Sequence, residues 1–384
     1  MEEALIGIKS SLIGLAPEML RGLLGHVLSF APIISVYAGI FALTTLLERK
    51  GLGRIQNRLG PNRVGPFGIL QPAADGLKMI FKEDVVPRAA DKVVHLLAPV
   101  FLVIPTMLAF SVIPYGDKLV PIDLDAGILF FFAVGGAAEL AVFMAGWGSR
   151  NKYAMLGAMR AIAQMISYEI PLILSSIVVI MMAGSLSLVE IAGSQSTGFW
   201  HWHVATPWGF AAFCIFLVAA LAEANRSPFD IPEAESELIA GHMTEYSGFK
   251  YALFFLSEYL GLFAMSGLSI TLFLGAYHAP LPGLSFVPGP IWFFGKFACL
   301  IALFIWIRGT LPRLRMDQLL GLAWKCLLPM TLITFLAGAI WHFTDRGLVG
   351  WIVCTPLIVA PYIWLRKHIT HGQRVARRVY RFAE

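Results

Sequence analysis

Glu223-Ala-Asn-Arg-Ser-Pro-Phe-Asp-Ile-Pro-Glu-Ala-Glu-Ser-Glu237 sits between two apolar runs, 207–222 before it and 251–277 after it. From 223 to 258 there are seven acidic residues (Glu223, Asp230, Glu233, Glu235, Glu237, Glu245 and Glu258) against two basic ones, Arg226 and Lys250. A membrane-spanning helix needs about 20 mainly apolar residues. A carboxylate inside hydrocarbon costs at least ~2.5–3.5 kcal/mol. Acids pinned between two such runs are expensive to keep, and that expense points to a use.

Composition agrees with a membrane setting. The chain is 58% hydrophobic and 14% charged, against about 25% charged in a soluble domain, and its mean hydropathy is +0.73. The expectation is an all-α polytopic membrane protein, a single membrane domain over 1–384. Nine candidate spans follow: 27–47, 94–114, 127–147, 161–183, 206–222, 251–277, 290–307, 326–343 and 348–365. The fifth is the shortest. Only 344–347 separates the last two, so eight spans with one long bent segment is the alternative. The start, Met-Glu-Glu-Ala-Leu, lacks a basic n-region, so no cleaved signal peptide is expected.

Lys and Arg choose the orientation. Segment 48–93 holds nine of them, 148–160 three, 223–250 two, 308–325 four, and the tail from Arg366 six. The opposite faces hold only Lys9, Arg21, Lys118 and Arg346, and Lys296 lies inside the seventh span. The bias alternates through all nine spans. It puts the N-terminus outside and the C-terminus in the cytoplasm, in a bacterial cytoplasmic (inner) membrane, or in the mitochondrial inner membrane if the chain is organellar. The acidic loop 223–250 and the first loop 48–93 then share the cytoplasmic side. The net charge of +5 reflects this topology, and no nucleic-acid partner is expected.

Within 48–93, Leu70, Ala73/Ala74, Leu77 and Ile80/Phe81 recur at helical spacing, with Gln71, Asp75, Lys78 and Lys82 opposite. Three turns with lysines on the polar side predict an amphipathic helix lying in the membrane interface; an ordinary solvated connector is the alternative. Pro72 suits a fixed helix start. The glycines of this loop make no phosphate cradle, because no Gly-Lys-Ser/Thr follows them.

Three carboxylates fall inside spans: Glu139 in the third, Glu169 near the start of the fourth, and Glu258 about 8 residues, or ~12 Å, into the sixth. Intramembrane acids normally face the bundle interior and serve ion movement. Glu233 and Glu237 share a face if their segment is helical, and their repulsion raises carboxylate pKa values towards neutrality; Glu235 points the other way. Pro228 and Pro232 predict a shaped loop, with any helix beginning after Pro232. Any single acid could be structural, paired with Arg226, Arg160 or Lys250. For the whole set there are too few cations.

Other chemistry is sparse. Cys214, Cys299, Cys326 and Cys354 stand singly in or beside apolar runs, without the spacing of an iron–sulfur or redox pair, and are expected to be small buried hydrophobes. His201-Trp-His203 suits an interfacial aromatic belt better than a metal site. Asn225-Arg-Ser matches a glycosylation acceptor but lies on the wrong side. No hydrolase, zincin, Walker or dinucleotide motif appears. The chain is expected to bind no NAD, flavin, iron–sulfur cluster or metal by itself.

These segments together resemble a membrane component of proton-pumping NADH:quinone oxidoreductase (respiratory complex I), the family that comprises mitochondrial subunit 1 and its bacterial counterparts. Two signatures carry the likeness: Glu48-Arg-Lys with Arg58-Leu-Gly-Pro-Asn-Arg-Val-Gly-Pro and Leu70-Gln-Pro-Ala-Ala-Asp-Gly-Leu-Lys, and Ala222 through Leu238. Gly146-Trp-Gly-Ser, Lys152-Tyr-Ala-Met-Leu-Gly-Ala-Met-Arg, Ser167-Tyr-Glu, Trp306-Ile-Arg and Pro312-Arg-Leu-Arg-Met-Asp-Gln support it, so nearly the whole chain is covered. One departure is Ala234, where relatives commonly carry glycine, which touches only the local backbone of the flanking acids.

The resemblance implies the membrane-side floor of a chamber for ubiquinone or another quinone. It implies Arg49, Asp75, Arg226 and Phe229 near the quinone path. Glu233, Glu235, Glu237 and Glu245 would form an acidic loop beneath the chamber, with Glu139, Glu169 and Glu258 continuing it into the bilayer. The implied partners are the peripheral-arm quinone-site subunits, adjacent small membrane subunits, antiporter-like subunits and lipid. Catalytic redox chemistry would belong to the whole translocase. A related membrane-bound hydrogenase or ferredoxin- or F420-linked complex is a second reading, which the completeness of the Glu48–Lys78 signature disfavours. A stand-alone secondary transporter is a third; it predicts an internal hydropathy repeat, and none is convincing. The topology is testable by fusions: a reporter active only in the cytoplasm is expected to work when joined after Arg366 and to be silent within 115–126, and the reverse pattern would invert the orientation.

Overall fold

The computed structural model describes residues 7, 11, 18–231, 239–284, 286–344 and 348–372. Glu233, Glu235 and Glu237, and the expected helix start after Pro232, lie outside these. Among the described residues all regular structure is helical. In chain order the α-helices are α1 Glu18–Ile55, α2 Gln71–Phe81, α3 Lys92–Ala109, α4 Gly127–Gly148, α5 Lys152–Ala183, α6 Leu188–Ser194, α7 Pro207–Glu223, α8 Gly248–Phe273, α9 Gly289–Thr310, α10 Met316–Leu322, α11 Leu328–Phe343 and α12 Leu348–Gly372.

Among the described residues, seven segments are long and apolar enough to cross a membrane: Val27–Ile55, Lys92–Val112, Gly127–Gly148, Lys152–Ala183, Gly248–Phe273, Gly289–Thr310 and Met316–Phe343. Two shorter apolar helices, Pro207–Glu223 and Gly350–Ile363, fill the fifth and ninth expected positions. The protein is thus an all-α polytopic membrane protein. The last long segment is α10 and α11 joined through a π-turn at Ala323–Leu327.

Helix starts follow local chemistry. Asp91 caps α3, accepting from the amides of Val93 and Val94 at 3.1 and 3.3 Å. Thr206 accepts from Gly209 N at 3.2 Å, with Pro207 in the first turn of α7. Asn151 caps α5 by accepting from Tyr153 N. That cap puts the start of α5 at Lys152, earlier than the apolar ruler suggests, because Lys152, Arg160 and Gln164 interrupt the hydrophobic run without interrupting the helix. Glu169 consequently lies mid-helix. Likewise α8 begins at Gly248, which puts Glu258 about 15 Å along it.

The bundle is built around α8. Of its apolar window 72% is buried, against 11% for α1. It packs against α3, α7 and α9, with Phe254, Leu260, Phe263 and Leu268 fully enclosed. Its far end is fixed by polar contacts. The Gln195 side chain donates to the carbonyls of Thr271 and Leu272 and accepts from Gly275 N at 3.0 Å. Lys296 of α9 donates to the carbonyls of Leu274, Ala276 and His278 at 2.7, 2.9 and 2.8 Å and lies 4.2 Å over the Trp202 ring. The one cation that the sequence places inside a span is therefore a cap on the C-terminal end of α8, where the helix dipole is negative.

The amphipathic helix α2 starts with Pro72 in its first turn, has no buried residue, and exposes Leu77, Ile80 and Phe81. Cysteines depart from expectation: all four are unpaired, but only Cys354 is buried, while Cys214 and Cys299 are exposed on outward faces of α7 and α9. In a membrane bundle an apolar run does not distinguish an inward face from a lipid-facing one.

At the opposite end, a short turn Gly241–Met243 lies against α5. A Cβ on Gly157 would come within 2.5 Å of Gly241 Cα and 2.8 Å of His242 N, so backbone meets backbone there. Gly157→Ala is expected to cost about 1–3 kcal/mol through overpacking, seen as a lowered melting temperature of the purified protein. Gly76→Ala, where nothing lies within 4 Å, is expected to leave it unchanged.

Candidate functional site

The end of the bundle carrying the loops after α1, α7 and α9 is held by charge pairs. Glu48, near the end of α1, is 5% exposed. Its carboxylate accepts from Tyr259 OH of α8 at 2.6 Å, pairs with Arg308 of α9, and lies 3.9 Å from Arg226 of the loop after α7. The Arg226 guanidinium stacks over the Tyr259 ring at 3.7 Å. Burial works against the Arg226 charge, but Tyr259, Glu48 and Glu258 more than offset it and hold the guanidinium above the ordinary arginine range. Nearby, Arg313 binds Asp230 at 2.8 Å, and Lys250 binds Asp84 at 2.8 Å. Arg49 binds Asp75 at 2.5 Å, tying α1 to α2, and Gln71 donates to the same carboxylate at 2.9 Å.

Beneath these pairs lies a cavity of about 80 Å³, lined by α3, α4, α5, α8, the end of α7 and the loop residues Ala224, Asn225 and His242, with Glu223, Asn225, His242, Ser257 and Glu258 as its main polar groups. Tyr259 and Glu258 are consecutive on α8, so they diverge by about 100° around the helix. One joins the charge cluster and the other faces the cavity. Glu223 ends α7 with Oε2 buried and unpartnered. Glu139 of α4 and Glu169 of α5 both lie within electrostatic reach of it. Glu139 also has a buried, unpartnered oxygen, Oε1, and the Glu169 carboxylate lies beside Gly136 of the same helix as Glu139. Glu245, on the turn leading into α8, receives the Asn151 amide at 2.5 Å.

The structure therefore brings most of the expected residues to one end and its interior. Arg49 and Asp75 form a pair at the α1–α2 junction; Arg226 is in the cluster with Glu48; Glu258 lines the cavity, Glu139 and Glu169 lie within electrostatic reach of Glu223, and Glu245 stands on the turn before α8. Phe229 is 4% exposed and packs on Tyr168 at 5.5 Å between ring centroids, so its ring belongs to the core. Its carbonyl accepts from buried Gln164 at 2.7 Å, which also donates to Ala222 O at 2.8 Å and shapes the loop start. Sequence pattern does not single out Glu48, Tyr259, Arg308 or His242 as site members, nor does it place Glu223 among the intramembrane acids. The one signal for Glu223 is its position as the last residue of an apolar helix. Among the described residues no three His, Cys, Asp or Glu side chains converge as metal ligands.

Fold and site define the class: an all-helical polytopic membrane protein with acids grouped around an internal cavity below an ion-paired loop end. The family model described as NADH dehydrogenase matches residues 28–339. Relatives over nearly the same span are NADH-quinone oxidoreductase H subunits. That of Geobacillus kaustophilus (strain HTA426) is 46% identical over 318 residues, 82% of this chain and 93% of that one. That of Bacillus mycoides (strain KBAB4) is 49% identical over 319 residues, 83% and 92%. That of Burkholderia ambifaria (strain MC40-6) is 46% identical over 317 residues, 80% and 88%. The chain belongs to the NADH dehydrogenase family, among its H subunits.

The cluster around Glu48 makes a stability prediction. Glu48→Ala leaves Arg226 buried without its carboxylate and is expected to destabilise by about 3 kcal/mol. Glu48→Gln keeps a partner for Tyr259 and is expected to cost clearly less. Melting of both purified variants checks the order.

Proposed function

We propose that this chain is the membrane subunit of an NADH:quinone oxidoreductase, that it forms the membrane side of the quinone chamber, and that it couples quinone reduction to proton translocation through its carboxylates. The observation that carries the reading is the cavity: Glu223 and Glu258 face it, Glu245 stands at its loop end, and Glu139 and Glu169 lie within electrostatic reach on its membrane side. Acids gathered in such number around one small cavity exceed what a structural role alone requires.

In this reading the Arg49–Asp75 pair and Arg226 border the quinone path at the cation-rich end. Reducing a quinone to its quinol takes two electrons and two protons. The electrons are expected from partner subunits, because the sequence carries no dinucleotide, flavin or iron–sulfur motif of its own. The two protons taken up change the local charge. Carboxylates that interact titrate as a group, so the change at the chamber shifts proton occupancy along Glu245, Glu258, Glu223, Glu169 and Glu139. Ubiquinone or another quinone is the expected substrate. The expected setting is the bacterial inner membrane, with the N-terminus outside, peripheral-arm subunits above the loop end and antiporter-like subunits further along the membrane.

Replacing Glu223 or Glu258 by Gln in the assembled complex is expected to lower quinone reductase activity and proton translocation by about tenfold, while NADH oxidation by a water-soluble acceptor continues. Full pumping in both variants would remove these acids from the coupling.

A further inference from the structure

His242 is the one side chain at this cavity whose ordinary pKa, about 6.5, lies in the neutral range. It is 2% exposed, sits on the Gly241–Met243 turn, and shares the cavity wall with Glu223, Asn225, Ser257 and Glu258. Its position is fixed from two sides. The backbone-to-backbone approach of Gly241 to Gly157 seats the turn on α5, and Gly241 has φ +53°, which a side chain there would resist. On the other side the Phe254 ring meets the imidazole edge to face, centroids 5.5 Å apart at 72°. Three residues on, the same segment carries Glu245, held by Asn151. The same short segment thus carries the loop acid Glu245 and a histidine on the wall that Glu223 and Glu258 share. A cavity of about 80 Å³ is well above the roughly 10–15 Å³ needed to hold one water, so water can bridge imidazole and carboxylates within it.

We propose that His242 is a proton-carrying residue of this cavity, passing protons between the loop bearing Glu245 and the carboxylates of Glu223 and Glu258. A proton arriving at one ring nitrogen gives the imidazolium. The proton on the other nitrogen then leaves, through cavity water, to a Glu223 or Glu258 carboxylate. The neutral ring remains as the other tautomer, and tautomer exchange resets it. No bond to carbon changes and no electron moves. The inference rests on the coupling role proposed above.

The test uses the whole complex in sealed membrane vesicles, with His242→Gln, His242→Ala, Glu223→Gln and Glu258→Gln made in parallel. His242→Gln keeps size and hydrogen bonding but cannot carry a proton at neutral pH. It is expected to lower proton translocation about tenfold at unchanged complex content and unchanged NADH oxidation by a water-soluble acceptor. His242→Ala is expected to show the same loss and to regain a large part of the rate with added imidazole. Wild-type pumping in His242→Gln overturns the proposal. So does a loss in His242→Ala that imidazole leaves unchanged, because that marks a packing role. His242→Asn is the second variant if Gln does not assemble, and failure of both to assemble likewise assigns His242 to structure and overturns the inference. If the two glutamate variants pump normally, the coupling reading itself fails; if they are impaired while His242→Gln is not, only the histidine inference fails.

Discussion

A charge in an apolar bundle has to be matched, and the way each one is matched organises this molecule. Glu48 shows the rule most clearly. It ends the spanning part of α1 in a site that is 5% exposed, where an isolated carboxylate would be several kcal/mol out of place. Tyr259, Arg308 and Arg226 gather on it from α8, α9 and the loop after α7. Three otherwise separate elements are drawn to one carboxylate, and the loop end of the bundle takes its shape from that convergence. The Arg49–Asp75, Lys250–Asp84 and Arg313–Asp230 pairs extend the same frame outward.

Within that frame, small residues decide where polar groups can come close. Gly157 lets the Gly241–Met243 turn lie directly on α5, and Gly146 lets α4 approach α5, where a Cβ would collide with Ala158 Cβ. Neither position is conspicuous as chemistry. Both act by omission: a methyl group at either would meet backbone or a neighbouring Cβ. Packing is therefore decided here at the level of single Cβ atoms, and a substitution with no charge of its own can still alter the spacing of charged groups.

Much of this is legible in the sequence. Runs of about 20 apolar residues mark all nine helical stretches because hydrocarbon thickness sets their length, and the Leu70–Phe81 periodicity gives α2 almost to the residue. Isolated acids in apolar runs mark Glu139, Glu169 and Glu258 because such placements are rare without a use. Three-dimensional pairing is hidden. Glu48 and Arg308 are 260 positions apart, and nothing local in either says that they meet. The true start of α5 is hidden as well, since a hydropathy ruler stops at the charges of Lys152 and Arg160 while backbone hydrogen bonding does not. Inward and outward faces of a lipid-exposed helix look alike in composition, which is why Cys214 and Cys299 are expected inside and lie outside.

Lys296 and Glu223 make the sharpest contrast between a saturated charge and an unsaturated one. Both belong to apolar helices, Lys296 inside a span by the sequence and Glu223 at a span's end. Lys296 donates to the carbonyls of Leu274, Ala276 and His278 at normal hydrogen-bond lengths and stacks on Trp202. All three of its protons have acceptors, so its charge is spent on closing the end of α8. Glu223 instead leaves Oε2 buried and unpartnered, on the wall of a small cavity and within electrostatic reach of two further acids. Like charges in a desolvated site make one another costly, and among the described residues no cation offsets Glu223 there as the carbonyls offset Lys296. The distinction rests on hydrogen-bond saturation and not on burial.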